Sequence, residues 1–468
     1  MMDRHRDHFT GRHYRAEKIS GPLSFFNPTT RVLPVHRPRA GRRAASAGHP
    51  AQPAGGAPLE KEHTRSGVYH VWRSRDNRKG RHAVTVKPGA YAAAAGAAAA
   101  AAAPGAQQGR PSLSRPPRAT DTLAETLRGL ARMALRFPVW DVSYDVAVVF
   151  TLGSVVWVLN GFFVLLPIVA PSTNFAGESD WGGGVTALVG ATVFEAGSVL
   201  LMLEAVNENR EDCFGWALEE AWESWEGGGS GGGGLEDREK HGGGEGGFVL
   251  RRLEGEGGCR HHHGVRKALV RGPRRVVSED GDGNGEGKGA SGRGRDRMWS
   301  WWPSWYELRT HYFRDIGFLA CLSQMIGATI FWTAGITGIP PIVNRLSVPA
   351  ENGVYWLTQV VGGSGFIVSS LLFMLETQPR WYIPAPKVLG WHVGLWNLVG
   401  AIGFTLCGAL GFAEDQPGME YALSLSTFIG SWAFLIGSVI QWYESLDKYP
   451  VSVEKDGDSK SSDSSSGS

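Results

Sequence analysis

Polar side chains inside apolar stretches are the residues of this chain whose chemistry stands out first. Glu195 lies near the middle of an apolar stretch of about twenty residues, and Asn160 lies at a similar depth in the preceding stretch. An ionised carboxylate at such a depth is costly, and it indicates function by default. Two interpretations stay open. Either a protonated Glu195 is hydrogen-bonded to Asn160 as part of the packing, or Glu195 couples a proton or cation to transport.

Three more carboxylates each stand at one end of an apolar stretch: Glu204, Glu376 and Glu444. A glutamate at the C-terminus of a helix opposes the helix dipole, so a nearby positive charge is expected. Arg380 and Lys448 follow two of these glutamates by four residues and predict local pairing, whereas Glu208 follows the third. The alternative is that the three carboxylates ring the mouth of a pseudo-threefold bundle and bind a cation or a basic segment.

The stretches that carry these residues have the length of membrane spans. A bilayer core of about 30 Å requires about twenty apolar residues in helical form. The chain has six such stretches, at about 146–169, 185–206, 316–339, 354–375, 389–412 and 421–443. Prolines close several of them, and Trp and Tyr near their ends form the aromatic belt expected at headgroup level. The sequence predicts an all-α membrane protein with six transmembrane helices.

Basic residues in the short flanks predict the orientation of these helices. One side carries nine Lys or Arg residues, namely Arg118, Arg128, Arg132, Arg136, Arg380, Lys387, Lys448, Lys455 and Lys460. The short loops on the other side carry only Arg345. Both termini and the long 207–314 loop are therefore predicted to be cytosolic.

An internal repeat relates the spans to one another. Spans 2, 4 and 6 share Gly-x3-Phe-x2-[Gly/Ser]-Ser-x5-Glu, with Gly190, Phe194, Ser198, Gly362, Phe366, Ser370, Gly430, Phe434 and Ser438 at equivalent positions. Spans 1, 3 and 5 share Gly-x3-aromatic-x3-Gly. At 100° per residue the positions of the longer pattern fall on one helix face, and small residues on such a face let helices approach closely. The sequence predicts three tandem hairpins in parallel repetition.

The third hairpin also carries a resemblance. Its two halves read NLVGAIGFTLCGALGF from Asn397 and FIGSWAFLIGSVIQWYE from Phe428. These stretches resemble the YrhK-like two-helix membrane hairpin, and the whole membrane region resembles uncharacterised fungal multi-pass integral membrane proteins built from such hairpins. The family has no assigned activity, so the resemblance implies a fold and no catalytic residue.

The remaining segments are polar or of low complexity. Residues 1–117 have 20 Lys and Arg against six Asp and Glu, with little periodic apolar content, and are predicted to be disordered. The hairpins span 118–206, 315–376 and 377–444. Between the first two lies a Gly- and charge-rich insert, 207–314, whose start at 208–226 has the spacing of an amphipathic helix. A Ser/Asp-rich tail, 445–468, is also predicted to be disordered.

Composition and motifs narrow the function. A net charge of +2 selects no nucleic-acid partner, and four cysteines exclude a disulfide scaffold. Cys259-Arg-His-His-His263 is packed too tightly for ordinary zinc-ligand spacing, so we expect no metal, and no cofactor motif appears. We therefore do not expect the protein to be an enzyme.

The first hypothesis for its function is a structural or interaction protein that contacts the lipid bilayer and recruits cytosolic proteins through its insert. The second is a small transporter or channel. The sequence leaves the oligomeric state open.

Overall fold

Six long apolar helices dominate the chain. The computed structural model describes residues 19–34, 68–86, 119–208, 214, 218 and 299–453. Six helices of this part are long and apolar enough to cross a membrane: Val142–Val169, Glu178–Val206, Ile316–Thr337, Val348–Thr377, Leu389–Gly411 and Met419–Leu446. The prediction of six membrane-spanning helices is confirmed, and the protein is a multi-pass membrane protein.

The helices are numbered in chain order. They are α1 (Ser74–Arg78), α2 (Leu123–Leu135), α3 (Val142–Val169), α4 (Gly184–Val206), α5 (Trp305–Thr310), α6 (Ile316–Thr337), α7 (Pro340–Val343), α8 (Val348–Glu351), α9 (Leu357–Thr377), α10 (Leu389–Gly411) and α11 (Met419–Leu446). Short π-helical turns, Glu178–Gly183 and Asn352–Trp356, lead into α4 and α9. Helix α2 lies outside the predicted membrane spans and was not predicted from the sequence.

Capping residues define where several helices begin. The Asp141 carboxylate accepts a hydrogen bond from the Ser143 backbone N–H at 2.9 Å, and Asp315 accepts one from Phe318 at 2.8 Å. These contacts satisfy backbone donors that have no partner within the helix. Gly418, with φ of 84°, lies directly before α11 in a left-handed conformation that favours glycine.

The six long helices form a closed ring in chain order. Each packs on its neighbours along the chain, α4 packs on α6 across the insert, and α11 packs back on α3. The hairpins are therefore α3–α4, α6–α9 and α10–α11. Because every helix has two neighbours in the ring, its small-residue positions are buried against protein, while the opposite face is left for lipid.

Aromatic side chains fill the centre of the ring. The six aromatic positions of the two repeat patterns lie in one buried cluster: Trp157, Phe194, Phe331, Phe366, Phe404 and Phe434. Ring centroids are 4.8 Å apart between Trp157 and Phe404, and 5.5 Å apart between Phe194 and Phe434. Both pairs meet edge to face, which is a favoured geometry of aromatic pairs. This cluster is called the aromatic layer below.

The glycines of the repeat make room for this layer. A Cβ atom on Gly190 would lie 2.8 Å from Trp157 Nε1, and one on Gly362 would lie 2.7 Å from the Gly327 carbonyl oxygen. A Cβ atom on Gly430 would lie 3.0 Å from the Gly400 carbonyl oxygen. The helices of each hairpin thus approach to distances that only glycine permits.

A five-stranded sheet covers one end of the bundle. Its strands are β1 (Ile19–Ser20), β2 (Thr30–Pro34), β3 (Val68–Arg73), β4 (Val84–Val86) and β5 (Val451–Val453), in that spatial order. The first four pair antiparallel, and β4 pairs parallel with β5. We call this end, where α4, α9 and α11 finish, the sheet end, and the opposite end the hairpin end.

The sheet corrects the prediction of disorder for only part of residues 1–117 and 445–468. Residues 19–34 and 68–86 form strands and α1, and 451–453 form β5, after a helix that continues to Leu446. The order of these stretches comes from pairing between distant segments and from buried charges, which local apolar periodicity does not reveal. Residues 1–18, 35–67, 87–117 and 454–468 lie outside the described part of the chain.

Only the edges of the predicted insert are described. Phe214 and Leu218 are helical, as the predicted 208–226 helix requires, and the other residues of that stretch beyond Glu208 are outside the described part. Phe214 is buried against Trp299, with ring centroids 5.5 Å apart. The beginning of the insert therefore packs against its end. The Cys259–His263 cluster lies outside the described residues.

Substitution of a repeat glycine tests the close packing of the ring. Gly190→Leu, Gly362→Leu and Gly430→Leu should each lower the apparent Tm in detergent, because overpacking costs about 1–3 kcal/mol or more. Gly353→Leu is a matched control, since a Cβ atom there would meet no atom within 4 Å. If all three leucine variants melted like the control, the glycine face would not be a packing face.

Candidate functional site: a carboxylate ring filled by a basic segment

The three glutamates that end the repeat helices are buried at the sheet end. Glu204, Glu376 and Glu444 come from α4, α9 and α11, and we call them the carboxylate ring. All three face α1 and the turn that follows it, residues 74–81, which we call the basic segment. Its cations Arg75, Arg78 and Lys79 are buried among the helix ends.

Glu376 is held by a two-point ion pair. Arg78 Nη1 donates to Glu376 Oε1 at 2.8 Å, and Nη2 donates to Oε2 at 2.9 Å. The Ser74 hydroxyl donates to Oε1 at 3.0 Å. Paired parallel bonds of this kind are the strongest geometry between a guanidinium and a carboxylate.

Glu444 is shared by two arginines. Arg75 Nη2 donates to Glu444 Oε2 at 2.7 Å and Arg75 Nε donates to Oε1 at 3.2 Å. Arg81 Nη1 also donates to Oε1, at 3.1 Å, and to Asp76 Oδ1, at 2.8 Å. The extra cation is thus balanced by a carboxylate of the basic segment itself.

Glu204 has the weakest pairing of the three. Lys79 Nζ lies 3.2 Å from Glu204 Oε1, and Arg78 Nε lies 3.8 Å from the same atom. Neither Glu204 oxygen accepts a hydrogen bond from the described residues. The ring is therefore matched in charge, but one of its three positions lacks the directed hydrogen bonds of the other two.

Secondary structure sets the spacing of the cations. Arg75, Arg78 and Lys79 stand at i, i+3 and i+4 of α1 and its end, so they project from one helix face. The strands β3 and β4 fix both ends of the basic segment. Lys448, just after α11, donates to the Lys79 carbonyl oxygen at 2.8 Å.

Small residues near the start of α3, α6 and α10 leave room for the cations. A Cβ atom on Gly317 would overlap Arg78 and Glu376, and one on Gly390 would overlap Arg75. Counted from the repeat glycines, the equivalent position in α3 is Ser143, which is buried. The Phe373 ring lies near both guanidinium groups, with its centroid 5.9 Å from Arg75 Cζ and 5.5 Å from Arg78 Cζ.

The electrostatics differ between arginine and lysine. Burial acts to lower the pKa of Arg75 and Arg78, but Glu444 and Glu376 outweigh burial and raise both pKa values. For Lys79 burial outweighs the attraction of Glu204, and its pKa is lowered. Arginine therefore holds the two well-bonded positions, and lysine stands where the hydrogen bonding is poorest.

A second pair of acids lies beside the basic segment. Asn77 Nδ2 donates to Glu208 Oε2 at 2.9 Å. Burial, followed by the nearby Asp315 carboxylate, raises the pKa of Glu208 to about 8. Burial, followed by Glu376, raises the pKa of Asp315 to about 6. With these pKa values Glu208 is mostly protonated at neutral pH, whereas Asp315 is mostly ionised and adds negative charge beside the carboxylate ring.

A small cavity separates the basic segment from the aromatic layer. Its volume is about 30 Å³, enough for roughly one or two water molecules. Its floor is formed by Arg75, Arg78 and Lys79 and its roof by Phe194 and Phe434. Polar side chains line the wall: Ser154, Gln324, Asn397, Ser438 and Gln441.

The local pairing predicted for two glutamates is wrong. Arg380 Nη1 donates to the Tyr382 hydroxyl at 2.9 Å, and Lys448 forms an ion pair with Asp141. Both basic residues lie beyond the helix ends, Arg380 exposed and Lys448 half-buried, whereas Glu376 and Glu444 are buried within the bundle. The basic segment supplies the opposite charge instead.

The predicted hydrogen bond between Glu195 and Asn160 is also wrong. Glu195 Oε1 accepts from the Thr329 hydroxyl of α6 at 3.0 Å. Asn160 Nδ2 donates to the Gly183 carbonyl oxygen at 2.7 Å and to Thr186 Oγ1 at 3.0 Å. The two side chains leave their helices in different directions, because Glu195 faces the α4–α6 contact and Asn160 faces the turn before α4.

The cations were the residues that sequence reasoning missed. The signal was present, since SRDNRKGR from Ser74 places three basic residues at helical spacing within the tail. It was lost among many other Lys and Arg residues of that tail. The hypothesis of a carboxylate ring that binds a basic segment named the type of partner, but not its source in the same chain.

Comparison with protein-family models, with curated proteins and with solved structures finds no match to this chain. Within the described residues, no three His, Cys, Asp or Glu side chains are grouped so that they could hold a metal ion. The site is therefore defined by its own geometry.

A double-mutant cycle tests the Arg78–Glu376 pair. Arg78→Met and Glu376→Gln should each destabilise the protein by about 3–5 kcal/mol, because each leaves a buried charge without its partner. The double variant should lose much less than the sum. Thermal unfolding in detergent measures all three. Glu125→Gln, which breaks the exposed pair with Arg128, is the control and should change stability by less than about 1 kcal/mol. Additive losses would contradict a direct pair.

The pH dependence of stability tests Glu208. Its pKa of about 8 in the folded protein is above the ordinary value of 4.5, so the folded state holds the proton more tightly. The resulting stabilisation of the folded state is fully present below about pH 4.5 and is lost as the pH rises toward 8. The apparent Tm should therefore fall over that window, and Glu208→Gln should flatten the fall. Asp315→Asn, which keeps the helix cap, should flatten only the part near pH 6. A parent whose Tm rose across the window would contradict this assignment.

Proposed function

We propose that the protein is a structural membrane protein that displays and anchors protein segments at one membrane face. The carboxylate ring serves as the internal receptor for a basic segment, and the chain's own residues 74–81 fill it. In this role the protein moves no solute and catalyses no reaction. Its activity lies in holding the sheet and the segments attached to it against the membrane.

The filled axis of the bundle supports this proposal most directly. The aromatic layer occupies the centre of the ring, with its six side chains in one buried cluster. Below it, the carboxylate ring is matched by cations of the same chain. Aromatic side chains and paired charges thus occupy these two levels of the bundle.

The sheet supports the idea of display. It joins segments before the first long helix to the residues directly after the last one, since β4 pairs with β5. The stretches 35–67, 87–118 and 454–468 all continue from its strands. We further propose that the sheet end is cytosolic, in line with the excess of Lys and Arg on that side. The 207–314 insert would then present cytosolic partners with a binding segment.

The resemblance to YrhK-like hairpins is retained as a proposal. It agrees with a chain built from two-helix units. The family has no assigned catalytic activity, and the proposed structural role requires none. The three hairpins would then be three copies of one packing unit, closed into a ring.

A second candidate is a small cation- or proton-coupled transporter or channel. The cavity on the bundle axis favours it, because polar side chains line a buried space next to three carboxylates. One oxygen of Glu195 is also buried without a hydrogen bond from the described residues. In this role the basic segment would act as a plug.

Flux measurements in liposomes separate the two candidates. The full chain and the variant Arg75→Gln/Arg78→Gln/Lys79→Gln are reconstituted and assayed with K⁺ gradients and with pH gradients. For a structural protein we expect both to leak no faster than empty liposomes. The thermal transition of each preparation shows whether it is folded.

Flux through the parent or through the folded triple variant would overturn the structural proposal. In that case Glu195→Gln should abolish the flux if this carboxylate carries the proton, since an amide cannot do so. Glu195→Leu is the companion variant. Loss of the Thr329 hydrogen bond should cost it about 1–2 kcal/mol of stability, whichever function holds.

A further inference from the structure

Helix α2 has an apolar face that the described protein leaves uncovered. Leu123, Leu127 and Leu130 are 76%, 58% and 50% exposed. At 100° per residue they fall within about 60° of one another. Three leucines on one face of a surface helix are costly in water, because each leaves apolar area that could be buried.

The other faces of α2 have different roles. Arg128 and Arg132 lie on the side opposite the leucines, and Arg136 follows at the end of the helix. The third side packs on α11, where a Cβ atom on Gly129 would overlap the Tyr443 ring. The helix is therefore anchored to the bundle with its leucine face turned outward.

The position of α2 along the chain puts it at the membrane surface. It ends at Leu135, and α3, which crosses the membrane, begins at Val142. Just before α2, Thr120 is tied to β5, since its backbone N–H donates to the Val451 carbonyl oxygen at 2.8 Å. Phe137, between α2 and α3, is 56% exposed. The helix thus lies level with the start of a membrane span.

A similar arrangement precedes α6 and α10, the first helices of the other two hairpins. Exposed aromatic side chains stand beside basic residues in both places: Trp301, Trp302, Trp305 and Tyr306 with Arg309 before α6, and Trp381 and Tyr382 with Arg380 and Lys387 before α10. Apolar groups flanked by cations at this level are typical of segments that lie in the headgroup region.

We propose that α2 is a lipid-binding helix that docks on the leaflet at the sheet end and selects anionic headgroups. The leucine face enters the boundary between headgroups and acyl chains. Arg128, Arg132 and Arg136 reach lipid phosphates and carboxylates from the opposite side, with their alkyl stems along the surface. The occupant is the bilayer itself, because the face is continuous with membrane-spanning helices and its charge is complementary to that of an anionic leaflet.

Hydrogen–deuterium exchange of the full chain in nanodiscs tests this proposal. The nanodiscs contain phosphatidylcholine, either alone or with phosphatidylserine. Amides of 123–135 should exchange more slowly when phosphatidylserine is present, by about fivefold for each arginine that contacts a headgroup. Peptides from α3 and α11, read in the same experiment, report whether the bundle is intact.

Two variants and one control make the result decisive. Arg128→Gln/Arg132→Gln/Arg136→Gln should lose the phosphatidylserine dependence, while Leu127→Gln/Leu130→Gln should speed exchange of 123–135 in both lipids. Arg345→Gln, an exposed arginine at the hairpin end, should behave like the parent. The proposal is overturned if parent exchange is equal in both lipids, or if the arginine variant keeps the dependence. Equal protection in detergent and in both nanodiscs would also overturn it, since another part of the chain would then cover the leucines.

Discussion

Charge balance among buried groups is the constraint on which the rest of the structure depends. Three carboxylates from three helices converge in one place, and each would cost several kcal/mol if it were buried and unpaired. The chain meets this cost with Arg75, Arg78 and Lys79, and the pairs with Glu376 and Glu444 have directed hydrogen bonds. The strands on either side of α1, the small residues Gly317 and Gly390, and the contact with Lys448 all position these cations.

The aromatic layer and the carboxylate ring divide the bundle into two halves with different physics. Above the sheet end, van der Waals packing over glycine holds the helices together, because lipid provides no hydrophobic drive for their association. At the sheet end, ion pairs in a low-dielectric environment hold the helix ends together. The small polar cavity lies at the boundary between the two halves. Its wall consists of uncharged polar side chains, and its floor consists of cations that are paired with glutamates.

Apolar length and repetition made much of this fold predictable from the sequence. Six stretches of the right length gave six helices, and the aromatic positions of the two patterns lie together in the structure. The basic segment could not be predicted, because its order depends on partners about 300 to 370 residues away. The hydrogen bond expected between Glu195 and Asn160 was wrong for a related reason. Depth in the membrane can be counted along a chain, but the direction of a side chain depends on how each helix is rotated in the ring.

The pairing of β4 with β5 has a consequence for how the chain matures. Arg75 and Glu444 are 369 residues apart, and β5 follows the last helix, so the basic segment can dock fully only after every helix has been synthesised. Until then Glu204 and Glu376 lie at the sheet end without the fully docked basic segment. The entropic cost of closing a loop grows only slowly with its length. The long separation therefore delays docking of the basic segment until late in synthesis but costs the finished protein little stability. Docking of the basic segment is thus a late assembly step that distinguishes a finished bundle from a partial one.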